Sequence, residues 1–539
     1  MQKYFFISLI ALTACSTNEE GLNQFSDEKL ITIYTLQDQR NTEALLPFLK
    51  AKKLNHRVAA NLAFASIQDT LAIPYLNQTL QIDQDELPRR AAAYALGQIR
   101  HPKALAILRP AFDAEFSKIN QRYILEAIGK CGNDETTSLF EKVSYTDSTL
   151  AIGWAYGTFR LSLKGHTTPQ LTERMFELLE NGNIEEQNVA NHYFFRLARR
   201  DSAILEQYKS ISSINLNVIE MQETLKPKNE ERRWSFEDLW YKEYTPQTNP
   251  YAKSQLINAI DISSPKLIPF LIEEYLDTTN HYIVRNTAYE LLLNEISEEK
   301  KWMHVLNGIN SGDMALQSLA CYKIHQLKPK YPPTFSTYKP QLLAACQKAQ
   351  ARLTLPLQSE PYIDLGKAIE VLGGTPYEKY IPEFTKPIDW EYVKTIKQGQ
   401  QIKINTNKGD IVLETFVNDA PGTVANILQL IDSGFYNNKF FHRVVPEFVI
   451  QGGCPRGDGW GGLNWNQRSE FSNYQTYSEG TAGVASAGKD TEGVQFFITH
   501  CPAPHLDGRY SIFARVVEGM DVANTIEVGD KIREITQLK

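Results

Sequence analysis

Three nine-residue segments of this chain superimpose at a constant step, and that regularity constrains the fold more than any other feature. Arg57-Val58-Ala59-Ala60-Asn61-Leu62-Ala63-Phe64-Ala65, Arg89-Arg90-Ala91-Ala92-Ala93-Tyr94-Ala95-Leu96-Gly97 and Gln121-Arg122-Tyr123-Ile124-Leu125-Glu126-Ala127-Ile128-Gly129 each begin 32 residues after the one before. Ala and Gly recur at matched places with large apolar residues one step ahead of them, a placement that lets helices approach closely. A polar turn and a second helix follow each segment. In the second copy the turn is Arg100-His101-Pro102-Lys103, and the helix is expected over Ala104 to Leu108 with Pro110 at its end. A unit of about 30 residues cannot bury its own apolar face, whereas stacked units can, so the period predicts an all-α solenoid of helix pairs. Looser copies at Ala151 to Phe159, Gln187 to Leu197, Ala252 to Ile260, Ile283 to Leu293 and Ala315 to Ile324 carry the pattern through residues 26–385. The alternative is an irregular helical domain whose Ala-rich helices mimic a repeat; the constant step argues against it.

The pattern resembles HEAT-type repeats, although their usual period is somewhat longer. It breaks over residues 201–250, where Lys226-Pro227-Lys228-Asn229-Glu230-Glu231-Arg232-Arg233 forms a charged interruption. Trp234, Phe236, Leu239, Trp240 and Tyr244 follow at helical spacing and read as core, or as a seam between two sub-arrays, rather than as a ligand site. The Pro-bearing stretch Tyr377 to Pro387 ends the helical region, and 386–397 is expected to be a linker. A chain of 539 residues exceeds what one core organises. Its net charge of −7 offers no basis for nucleic-acid binding, which calls for a basic patch.

The N-terminus reads as a processing signal. Lys3 precedes the apolar stretch Tyr4 to Ala11, then Leu12-Thr13-Ala14-Cys15 and a polar segment from Ser16 to Glu20. A Cys directly after Leu-Thr-Ala resembles the lipobox of bacterial lipoproteins, which implies cleavage of residues 1–14, lipidation of Cys15 and a tether over 15–25. Ser16, rather than Asp, after that Cys implies sorting to the outer membrane of the bacterial cell envelope; which face is not readable. A plain signal peptide with an incidental Cys is the alternative. No later apolar run reaches the length of a spanning helix, so membrane contact is expected only through the lipid. Cys131, Cys321, Cys346, Cys454 and Cys501 show no CxxC or metal spacing and are expected to be thiols rather than bridges.

From Gln401 the apolar period changes from 3.6 to 2. Ile402 and Ile404, then Ile411, Leu413 and Thr415-Phe416, alternate about the turn Asn407-Lys408-Gly409-Asp410, which is a β-hairpin pattern. Ala420-Pro421 opens a helix over Gly422 to Ser433, stopped by Gly434. Strand-like runs return at Val494 to Thr499 and Ser511 to Val517. Two helices among many short strands suggest a closed β-barrel.

This last part carries two long ordered motifs. Phe440-Phe441-His442-Arg443-Val444-Val445-Pro446-Glu447-Phe448-Val449-Ile450-Gln451-Gly452-Gly453 closely resembles the central signature of the cyclophilins, a family of peptidyl-prolyl cis–trans isomerases. Gly493-Val494-Gln495-Phe496-Phe497-Ile498 and Leu506-Asp507-Gly508-Arg509-Tyr510-Ser511-Ile512-Phe513 resemble the second, at fitting separation. The resemblance spans 398–539 and implies a closed β-barrel with two helices following the HEAT-like α-solenoid, acting on proline-containing polypeptides with no cofactor.

The chemistry asks little of a protein. Rotation about the imide bond faces a barrier of about 18–20 kcal/mol, and no bond is broken. Lowering that barrier by about 7 kcal/mol accelerates exchange roughly 10⁵-fold. In the twisted transition state the prolyl nitrogen regains its lone pair, so a fixed cationic donor beside it stabilises that state over either planar one. By resemblance, Arg443 is that donor, Gln451 holds the substrate carbonyl, and Phe497 completes the catalytic set. Phe448, Val449, Phe497 and Leu506 match the walls of the proline pocket, with Val449 replacing the more usual Met. Gln495 lines the adjoining groove, Tyr510 stands where relatives carry His or Tyr, and Ala485 and Ser486 match main-chain contacts to the residue before proline, Ser486 replacing the commoner Asn. Alone, the apolar members would read as barrel core and Arg443 as a surface cation; their joint order favours a site.

His505 stands where well-known cyclophilins have the Trp that contacts cyclosporin, which puts inhibitor affinity in doubt without touching the Arg–Gln–Phe set. Trp460 and Trp465 sit in or beside the Gly457–Gly462 loop and are read either as core or as shaping substrate choice. His442 and His505 lack the Cys–His–acid spacing of a metal centre, and no metal is expected. Two functions remain open from sequence: an isomerase of exported proteins whose repeat arm docks an unknown protein partner or client, or a catalytically weak scaffold that binds proline peptides.

Overall fold

The 32-residue step survives folding intact. The computed structural model describes residues 23–538 apart from 146, 198–203, 205–207, 209–242, 246, 261–263 and 327–332. In it the three matched segments lie in helices Leu54–Ile67, Glu86–Ile99 and Lys118–Cys131. The first residue of each segment ties its helix to neighbouring loops. Arg57 Nε donates to Asp83 at 2.8 Å and Arg89 Nε to Glu115 at 2.9 Å, while in the third copy Gln121 Nε2 donates to the Glu115 carbonyl at 2.8 Å. The small residues lie where neighbouring helices press together. A Cβ at Gly129 would approach the Gly157 Cα to 2.6 Å, and one at Gly97 would lie 2.8 Å from the Ala127 Cβ.

The looser copies fall in helices Ser148–Ser162, Ile184–Leu197, Pro250–Ala259, Tyr282–Glu295 and Met314–His325. One expectation needs correction: the second helix of the second unit does not stop at Pro110 but runs Pro102–Ala114. Pro110 lies on its exposed face, where the missing N–H leaves only an outward carbonyl to water. The charged interruption and the aromatics Trp234 to Trp240 lie outside the described residues. Tyr244 is core, packed edge-on against Phe270 at 5.3 Å and donating to the buried Glu274 at 2.5 Å.

The barrel closes in the order β1-β2-β7-β5-β6-β4-β3-β8. Its strands are β1 Gln401–Thr406, β2 Asp410–Thr415, β3 Lys439–Val445, β4 Val449–Gly452, β5 Thr481–Val484, β6 Phe496–Thr499, β7 Ile512–Glu518 and β8 Lys531–Gln537. The two helices are Pro421–Asp432 and Met520–Thr525. Ile404, Ile411, Val424, Leu428, Phe441 and Ile450 share its interior.

Arm and barrel are packed together rather than strung apart. Residues 1–22, including Cys15 and the apolar run, lie outside the described residues, but from Asn23 the chain is docked. Asn23 Nδ2 donates to the carbonyls of Val393 and Ile396 at 2.7 and 2.8 Å, and Phe25 is wholly buried against Tyr34 and Trp390. The 386–397 connection is no free hinge: it forms the short helix Trp390–Val393, and Trp390 Nε1 donates to Thr35 Oγ1 at 2.8 Å. The first half of the arm shares one continuous apolar cluster with the barrel, sealed by the Phe471 N–H donating to Ser66 Oγ at 2.8 Å and by an Arg40–Asp490 ion pair. The second half keeps its own core between Tyr244 and Leu372 and meets the barrel in several places, Tyr251 packing on Phe440 of β3 at 5.0 Å among them, with most of the polar contacts at the loop 456–458. At that loop Tyr251 donates to the Gly457 carbonyl at 2.9 Å, Asn286 to Asp458 at 2.9 Å, and Arg456 pairs with Asp313 at 3.1 Å. The cysteines Cys131, Cys321, Cys346, Cys454 and Cys501 are thiols. Among the described residues, no helix is long and apolar enough to cross a membrane.

Candidate active site

Strand register alone puts the three central residues in a row. Arg443 on β3 pairs with Gln451 on β4, and Gln451 pairs with Phe497 on β6, so the three side chains leave one face of the sheet side by side. Gly483 on β5 continues the row opposite Phe497. A Cβ at Gly483 would overlap the Tyr477 hydroxyl and lie 2.8 Å from Phe497 Cζ, so the glycine makes room for the two rings.

Polar groups lock the row. Arg443 Nη1 donates to Gln451 Oε1 at 3.4 Å, Gln451 Nε2 to Gln495 Oε1 at 3.1 Å, and Gln495 Nε2 to the carbonyls of Gly459 and Gly461 at 2.8 Å each. The amide at 451 is thereby oriented by its neighbours before any ligand arrives. Arg443 is exposed as a residue, yet protein crowds its guanidinium; burial lowers its pKa while Tyr510 opposes that, and a guanidinium stays charged under either influence. Beside it, His442 is buried, and desolvation pushes it down to about 4, so it is neutral and Arg443 is the cation here.

A separate apolar cluster adjoins the row. Val449, Tyr477, Phe497, Ala503 and Leu506 are buried together, with Phe448, Ala485 and Tyr510 at its edge. Phe497 stacks on Tyr477 at 5.4 Å and meets Tyr510 edge-on at 5.6 Å, while Phe448 stacks on His505 at 5.2 Å. The Arg443 guanidinium carbon lies 5.9 Å from the Phe448 ring centre, which places the charge at the mouth of an apolar slot. Ala485, at the edge of that slot, also lines an adjoining cavity together with Ser486, Gln451 and Gln495. The barrel residues expected from sequence are thus gathered about the slot and the adjoining cavity, with Gln451 in the row beside the one and in the wall of the other. Among the described residues no group of three or more His, Cys, Asp or Glu is placed to hold a metal ion.

Tyr477 and Gly483 escaped the sequence reading. Tyr477 sits in a polar stretch without periodicity, and Gly483 is one small residue in Thr481-Ala482-Gly483-Val484. The Arg160 contact escaped too. Its Nη1 donates to the Pro504 carbonyl at 2.5 Å, which fastens the turn carrying His505 and Leu506 to the arm.

Comparison with known proteins agrees with this geometry. The model for cyclophilin type peptidyl-prolyl cis-trans isomerases matches residues 401–537, and that for HEAT repeats matches 42–129. Peptidyl-prolyl cis-trans isomerase B of Bacillus subtilis is 43% identical over 141 residues, covering 26% of this chain and 97% of that protein. The peptidyl-prolyl cis-trans isomerase of Helicobacter pylori is 44% identical over 135 residues, 24% of this chain and 83% of its own length. A crystal structure of a Cryptosporidium parvum cyclophilin type isomerase in the presence of the dipeptide Ala-Pro is 31% identical, covers 26% of this chain and 99% of that one, and has a TM-score of 0.25. With nearly the full length of the Bacillus enzyme aligned onto the barrel, the chain belongs to the cyclophilin-type peptidyl-prolyl cis–trans isomerases.

Proposed function

We propose that Arg443 is the catalytic cation of this isomerase and that the chain works on exported proteins at the bacterial cell envelope. The observation that carries the first part is the register row: Arg443, Gln451 and Phe497 face one groove from three adjacent strands. A prolyl ring seated against Phe497, Val449 and Leu506 brings its nitrogen under the Arg443 guanidinium, while Gln451 holds the carbonyl. The guanidinium donates to the nitrogen only once the lone pair has localised, so it stabilises the twisted state more than either planar one. No proton leaves. Removing one such donor typically lowers turnover about 10²–10³-fold. Arg443→Ala is accordingly expected to lose that much kcat on a proline tetrapeptide while still binding it; equal turnover by both proteins would overturn the assignment.

The envelope setting rests on the sequence from Lys3 to Cys15, with Cys15 the lipidated residue and the outer membrane the destination. The arm then docks a protein partner or client and raises its concentration at the barrel. Labelling cells with a radioactive fatty acid tests the anchor: the label and membrane fractionation are expected to vanish in Cys15→Ser. Retention of both in that variant refutes it. Cross-linking in the native envelope identifies what the arm holds.

A further inference from the structure

The groove does not end at the barrel. Past Gln451 and Gln495 it opens into a cavity of about 190 Å³ whose far wall is the arm. Ala485, Ser486 and Trp460 line the barrel side, and Leu357 and Glu360, at the start of the helix Ser359–Val371, line the other. The Leu357 side chain closes towards the glycine loop, coming within 3.9 Å of where a Cβ on Gly462 would stand. The upstream end of the substrate channel is thus assembled from two parts of the chain about a hundred residues apart in sequence.

Glu360 is the only ionisable residue lining this cavity among the described residues. It makes no hydrogen bond or ion pair there. The residue as a whole is exposed, yet protein crowds its carboxyl, and that desolvation, with Asp364 adding to it and Lys367 opposing it, pushes its pKa up to about 7. Lys367, the nearest cation on its own helix, is turned to the ring of Tyr377, 6.0 Å away. The barrel wall offers rings and amides but no positive charge, so no cation meets the Glu360 carboxyl within the cavity. A cation brought in by the substrate would take that place, between an acid on one side and the Trp460 ring on the other.

We propose that this composite cavity selects peptides with a basic side chain, Lys or Arg, upstream of the residue that precedes proline, and that Glu360 of the arm is the specificity-determining residue. The inference rests on the isomerase activity of the barrel and not on where the protein resides. It also gives the arm a role inside the site, distinct from any docking on its outer surface.

The test uses the full chain and blocked peptides Xaa-Ala-Ala-Pro-Phe and Ala-Xaa-Ala-Pro-Phe, with Xaa as Lys, Ala or Glu. Exchange is followed by NMR and affinity by calorimetric titration. At one of the two positions the Lys peptide is expected to exceed the Glu peptide at least ten-fold in kcat/KM, carried by KM. Glu360→Gln is expected to shrink that ratio below three-fold, and Glu360→Lys to invert it. The ratio is internal to each variant, so a loss of folded protein cancels. Equal handling of Lys and Glu peptides by the unaltered chain overturns the proposal, as does a ratio that persists in Glu360→Gln. Should no peptide be turned over, the isomerase activity is what fails, and the Lys-to-Glu ratio of dissociation constants decides the cavity's role by the same criteria.

Discussion

Replacing Arg160 by Ala is expected to loosen the arm and weaken substrate binding together. Its side chain is 5% exposed; it donates to Glu126 Oε1 at 3.0 and 2.7 Å and to the Pro504 carbonyl at 2.5 Å, and it lies 3.4 Å from Asp507 Oδ2. Burial alone would push the Glu126 carboxyl up, but Lys130 and Arg160 outweigh it and hold the pKa at about 2. Burial does win at Asp507, which sits at about 6 even beside Arg160. Removing one partner of a buried pair costs about 3–5 kcal/mol, and an unmet carbonyl about 1 kcal/mol more. Two effects soften this. Lys130 stays 3.0 Å from Glu126, and Asp507, already close to neutral pH in its titration, takes up a proton instead of remaining a stranded charge. The net loss is therefore about 3 kcal/mol, large against the stability of one domain but not enough to unfold it. Because Arg160 holds the turn that carries Leu506, KM is expected to rise at least about five-fold while kcat holds. Urea unfolding and peptide kinetics read the two effects. Adding Glu126→Gln should restore at least about 1 kcal/mol, since it removes the stranded charge. A single variant within about 1 kcal/mol of the parent, with KM unchanged within about two-fold, would refute the claim that the arm positions the pocket wall.

Other expectations are as direct. Gly483→Ala is expected to lower kcat/KM at least about ten-fold with the fold retained by circular dichroism, because the new methyl displaces Phe497 and Tyr477. Gly129→Ala should cost about 1–3 kcal/mol in unfolding experiments, since its Cβ would collide with the Gly157 backbone of the next repeat. Glu492 is fully buried, and desolvation, despite bonds from Ser511, raises its pKa to about 8. An acid whose folded pKa is raised contributes its stability below its unfolded pKa and loses it as pH climbs through the folded value, so stability should fall between about pH 4.5 and 8. Glu492→Gln is expected to flatten that decline; an unchanged pH–stability profile would disprove the raised pKa.

The residues of the register row were legible through the resemblance of their two motifs to the cyclophilin signatures, and the strand register shows the physical reason for that order. Arg443 and Gln451 belong to one short hairpin, and a period of 2 places them on one face once the turn is known. The repeat was legible in its own period: each helix pair solves the same packing problem, so Ala, Gly and the leading polar residue return at the same step. Pro110 was misread because a helix's own pattern does not reveal that its exposed face tolerates a missing donor.

By itself, then, the amino-acid order showed the helix pairs and the strands β1, β2, β6 and β7, and its resemblance to the cyclophilins named the side chains to look for at the site. Only the tertiary structure decided that the arm curls back, that Arg160 meets Pro504 across 344 positions, and that Glu360 faces Gln451 over a shared cavity. The physical reason is that a solenoid's path is the sum of small rotations from one repeat to the next. Each rotation depends on how a few side chains interlock. No periodicity records their sum, and so none foretells which distant surface the arm will meet.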